Sequence, residues 1–114
     1  MDAERTVCTH LHGMIGVPVH YDVPGDRPPE FATVELVGGS TDSLGIGVKS
    51  VLVQCWAGSR KGAAETAERA KAVLRTVSER DGVFGSRITS EYRDRDADSG
   101  AHRRCLLVEL YVSE

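Results

Sequence analysis

The sequence predicts an α+β fold: a mostly antiparallel sheet of about five strands with one long helix packed on one face. Three observations carry that expectation. Apolar residues alternate with period two in several short runs. One stretch, residues 58–82, switches to a period near 3.6. Most connections between the alternating runs are of hairpin length, which favours antiparallel pairing.

Taken in order, residues 3–15 (AERTVCTHLHGMI) are ambiguous. A short helix would place Cys8 and His12 one turn apart, but its β-branched residues and Gly13 weaken it. GVPVHYDVP then reads as a strand with Val17, Val19, Tyr21 and Val23 on one face, Pro18 suiting an edge or a strand start. PGDRPP, residues 24–29, is a turn into EFATVELVGG, a second strand able to pair with the first. VKSVLVQCWA puts Val48, Leu52 and Trp56 on one face and Val51, Val53 and Cys55 on the other, so it is placed centrally, covered on both sides. In the helical stretch Ala63, Ala67, Ala70, Leu74 and Val77 form the inner stripe. Ser59 is the N-cap, Gly82 the stop, and Glu65–Arg69 an i,i+4 pair. VFGSRITSEYRD and HRRCLLVELYVSE are the last two strands, with Leu106, Val108, Leu110 and Val112 facing one way. The second sheet face is not fully polar, so either residues 1–15 cover it or another subunit does.

The 114 residues make a single domain, 1–114, large enough for a core without staples. Fourteen basic against seventeen acidic residues, a formal charge of -3, do not predict broad binding to a phosphate backbone. No run is long enough to span a bilayer, and the acidic N-terminus is unlike a signal peptide, so no membrane role and a cytoplasm-like compartment are expected. Cys8, Cys55 and Cys105 fit neither a disulfide framework nor a zinc pattern and read as buried small hydrophobes.

Three stretches carry residues that could form a site. The glycine-rich VGGSTDSLGIGV runs from strand into strand, whereas a phosphate loop must open a helix. It therefore reads as a flexible connection with too many glycines for a strand. Asp94, Asp96 and Asp98 alternate as calcium ligands do, but Gly100 comes one position late and Cys105 stands where glutamate is required. Cys8, His10 and His12 would share one side of a strand, yet no second cluster completes a zinc site. No catalytic residue, cofactor or metal is assigned, and a non-enzymatic role is expected.

Several segments stand in a telling order. GVPVHYDVP precedes RPPEFATVELVGGS; CWAGSRKGAAETAERAKAVL follows; DADSGAHRRCLLVELYV closes the chain. Over residues 16–113 this resembles the tail terminator (tail completion) proteins of phages with long non-contractile tails, especially those of actinobacterial phages and prophages. The resemblance implies a hexameric ring of identical subunits that caps the tail tube, ends its polymerisation and joins the tail to the head connector. It implies as partners the chain itself, the tail tube protein and the head–tail connector. Genome DNA would pass through the lumen without specific binding. The location implied is the virion tail or neck, assembled in the host cytoplasm. One departure is the start, where such proteins open with a more regular helix. The alternatives are another neck or tail-completion ring component and a small ligand-binding regulatory domain.

On that reading the interface candidates are two polar inter-strand connections: Gly38, Gly39, Ser40, Thr41, Asp42, Ser43 and Leu44 in the first, Arg93, Asp94, Arg95, Asp96 and Asp98 in the second. Trp56 is either core or an interface anchor. Arg60 and Lys61, in a helical turn where the macrodipole disfavours cations, are expected to meet a neighbour's acids or simply to be solvated.

Overall fold

Asp2 and Ser59 start the two helices. The Asp2 carboxylate accepts from the Arg5 N–H at 2.9 Å, and Ser59 Oγ accepts from the Gly62 N–H at 3.0 Å. A computed structural model describes all residues, Met1–Glu114. Its elements are α1 (Ala3–Leu11), β1 (Val19–His20), β2 (Phe31–Thr41), β3 (Ile46–Ala57), α2 (Arg60–Leu74), a 3-10 turn (Val77–Glu79), β4 (Val83–Arg95) and β5 (His102–Ser113). One sheet runs β1-β2-β3-β5-β4, antiparallel throughout except for the β1–β2 pair.

Both helices lie on one face. Val7, Leu11 and Ile15 pack with Ala67, Ala70 and Leu74 over Val34, Val51, Val53, Leu106, Val108 and Leu110. The alanines let α2 approach the sheet closely. α1 forms despite its modest propensity because its apolar stripe Ala3–Val7–Leu11 is buried, and packing rather than propensity stabilises a helix this short. Residues 1–15 therefore thicken the face α2 already covers, and the opposite face has no layer over it.

Other expectations need correction. The alternating run 17–23 gives only the two residues Val19–His20 as strand, and they pair parallel with Ala32 and Thr33. Alternation favoured a longer strand, but the long excursion over residues 21–30 turns the chain so that it re-enters in the same direction. α2 stops at Leu74, and the 3-10 turn fills the distance to Gly82. Arg69 does not pair with Glu65. Its guanidinium donates to the Ile15 carbonyl at 2.7 Å and to Thr66 Oγ1 at 3.1 Å, tying α2 to the loop after α1. Glu65 instead lies 3.9 Å from Lys61.

Candidate assembly surfaces

The glycine-rich segment is a formed hairpin. Gly38, Gly39, Ser40 and Thr41 belong to β2, and Ile46 and Gly47 to β3, so only residues 42–45 turn. The expectation of a loose connection failed because two glycines serve the ladder itself. Gly38 follows a bulge at Val37, and a Cβ on Gly39 would come within 2.8 Å of the Val48 carbonyl. Asp42 orders the tip by accepting from the N–H groups of Leu44 (2.8 Å) and Ile46 (3.0 Å), with Gly45 at φ +79°. Ser43 and Leu44 are thus presented on a set turn, and the Leu44 side chain is 82 % exposed. Phe84, pushed out by a bulge in β4, is exposed at the same end of the sheet.

On the uncovered face one row of side chains crosses all four long strands: Phe31, Trp56, Arg103 and Asp94. Phe31 stacks on Trp56 with ring centroids 5.3 Å apart. The guanidinium carbons of Arg27 and Arg103 lie 5.1 Å and 4.9 Å from the indole centroid. Trp56 Nε1 donates to Thr33 Oγ1 at 3.0 Å. Arg103 closes the row with a bidentate pair to Asp94 at 2.7 and 2.8 Å. Trp56 is 4 % exposed, so its own chain already packs it. Asp96 sits beside this row, accepting from the Ser99 N–H and hydroxyl; those bonds hold its carboxyl below the ordinary range.

Arg93, Asp94 and Arg95 are strand residues, so the second connection is only residues 96–101, with Asp98 exposed at its tip. Pairing with β5 extends β4 further than its polar composition suggested. On the helix side, β4 and β5 bring Arg93, Arg95 and Arg104 beside Arg60 at the start of α2. Together they line a cleft of about 280 Å³. Arg104 pairs with Glu91 at 2.8 Å, and Arg95 donates to the Gly100 carbonyl. Arg60 and Arg93 have no partner within the chain. Lys61, by contrast, projects into solvent.

The CTHLH residues diverge, because the segment is helical. Cys8 is buried, and His12 is the exposed C-cap. His10 bridges to α2: Nε2 lies 2.9 Å from the Val73 carbonyl, and Nδ1 accepts from Arg80 at 3.0 Å. All three cysteines are buried and free. Burial pushes the Cys55 thiol up to about 12 and raises those of Cys8 and Cys105.

Sequence reasoning missed the stack around Trp56 and a groove at the opposite sheet edge, where Glu4, Asp22 and Glu35 gather beside Tyr21, Val23 and Leu36. The stack had no legible signal: the turn pairs Thr41 with Gly47, and the bulge at Val37 shifts the register by one residue to bring Phe31 opposite Trp56. The groove had none either, since it depends on where α1 and residues 21–23 come to lie.

No protein-family model matches the sequence, and no curated protein does. Among solved structures, a chain in the virion of a native gene transfer agent particle is similar. The TM-score is 0.62 at 18 % identity, covering 98 % of this chain and 95 % of that one. What the two chains share is the α+β fold over almost their entire lengths.

Proposed function

We propose that this protein is a structural component of a phage-like virion. Six copies form a ring that caps the tail tube, ends its polymerisation and joins the tail to the head connector, with the genome passing through the lumen. Its role is assembly in the host cytoplasm rather than catalysis. The observation carrying the reading is the near full-length fold likeness to a chain of a gene transfer agent virion. That likeness agrees with the resemblance of residues 16–113 to tail terminators. Two ordered hairpins, one tipped by the exposed Leu44, give the fold distinct contact points for tube and connector.

Electron microscopy of tail tubes assembled with and without the protein tests this. Tubes of uniform length bearing a terminal ring are expected in its presence. Tubes of unregulated length without a ring would refute it. A ring found only on the connector side, with tube length unaffected, would assign the chain to another part of the neck.

A further inference from the structure

The sheet has two free edges of opposite charge. Along β4, on the helix side, stand Arg60, Arg93, Arg95 and Arg104, of which Arg60 and Arg93 have no counter-charge in the chain. At the β2 edge stand Glu4 from α1, on the helix side, Asp22 from the segment after β1, and Glu35, on the uncovered side. Asp22 and Glu35 are exposed and likewise bond to nothing, whereas Glu4 accepts from the Leu36 N–H at 2.8 Å. This separation is not a property of the composition, which mixes both signs and sums to only -3. It arises because the fold gathers free arginines toward the β4 edge and free acids at the β2 edge, beyond the short β1.

We infer that the arginine cleft of one copy receives the acidic β2 edge of the next, a head-to-tail contact that deepens the ring reading and rests on it. The two charged patches lie at nearby levels of the sheet. Arg93 is in register with Arg104 and Cys55, and Glu35 with Leu52, three residues along β3. Because the patches lie toward opposite edges of the sheet, each copy offers one of them to the neighbour on either side. A contact between two different surfaces repeats from copy to copy and closes when its rotation divides a full turn. Tyr21, Val23 and Leu36, all exposed beside the acids, supply the apolar surface such a seam buries. A nucleic-acid backbone fits the cleft less well: the free cations are few and confined, whereas backbone binding needs an extended basic track.

The test is a charge swap on the full chain, read by sedimentation velocity at low and high salt. Wild type is expected to self-associate at low salt. Arg60→Glu with Arg93→Glu, or Asp22→Arg with Glu35→Arg, should each weaken association by about tenfold or more. An equimolar mixture of the two double variants should associate again through its reversed patches. Circular dichroism should show both variants folded, since every substituted side chain is exposed.

The inference is overturned if wild type stays monomeric at low salt, if either double variant associates as wild type does, or if the mixture fails to recover. It is also overturned if the Arg variants lose only retardation of duplex DNA. Double variants that associate normally and still cap tubes would remove this seam and leave the ring reading intact. Uncapped tubes with wild type would remove the ring reading itself.

Discussion

Trp56→Ala distinguishes an indole that its own chain packs from one waiting for a partner. The side chain is almost wholly buried, stacked on Phe31, bonded to Thr33 and flanked by the Arg27 and Arg103 guanidinium groups. Truncating a buried aromatic to alanine costs about 3–5 kcal/mol. We expect about 4 kcal/mol, because the site lies at the surface of the sheet and the two arginines can partly collapse into the space. Total stabilities are roughly 5–15 kcal/mol, so the variant should remain folded at low temperature but unfold at much lower urea. Trp56→Phe keeps the stack and removes the indole N–H, and should cost about 1–2 kcal/mol. Urea unfolding followed by far-UV circular dichroism measures both, since the variants lack the only tryptophan. A loss below about 1.5 kcal/mol for Trp56→Ala would refute the intramolecular packing and return Trp56 to the role of interface anchor.

Three further outcomes follow from the surfaces and the core. Leu44→Asp should change stability by less than about 0.5 kcal/mol, because the side chain is largely solvated, yet impair tube capping in electron micrographs. Normal tube lengths with that variant would exclude the hairpin tip as a contact. The three buried thiols, all with raised pKa values, should resist a disulfide reagent at mildly alkaline pH in the native chain and react fully in denaturant; a fast native reaction would contradict their burial. Glu91, bonded to Lys71 and Arg104, has its pKa lowered from the ordinary 4.5. A carboxyl whose folded pKa is depressed contributes stability above its unfolded value and loses it as pH falls through the folded one. Thermal unfolding should therefore show stability falling below about pH 4.5. Glu91→Gln should flatten that slope, and an unchanged slope would remove Glu91 from it.

The parts of the fold legible in the sequence were those with a local cause. β3 and β5 are long, largely apolar β-rich runs, and Ser59 is followed by an alanine stripe at helical spacing, so strands, cap and the helix's buried face are legible locally. What escaped depends on distant partners. α1 is held by Leu74-side packing and by Arg69 reaching Ile15, neither visible in AERTVCTHLHGMI. β1 is cut to two residues by the direction of the chain after Pro18, which alternation does not encode. Gly39 looked like a loop residue because its reason, the approach of the Val48 carbonyl, lies across the hairpin. Of the candidate surfaces, Arg60, Arg93 and Arg95 were each named from sequence, but only the β4–β5 register and the start of α2 bring them into one cleft.

The two hairpins also give the subunit a direction. β5 runs from Ala57's partner His102 to Ser113 beside Ile46, so the residue 42–45 turn and the residue 96–101 turn lie at opposite ends of a body 44 Å long. One end presents the exposed side chains of Leu44 and Phe84; the other holds Asp96 between Arg27 and Arg103. A closed ring of such subunits, all pointing the same way along its axis, would have two chemically unlike rims. A tube and a connector could then each find its own side without any further marker of orientation.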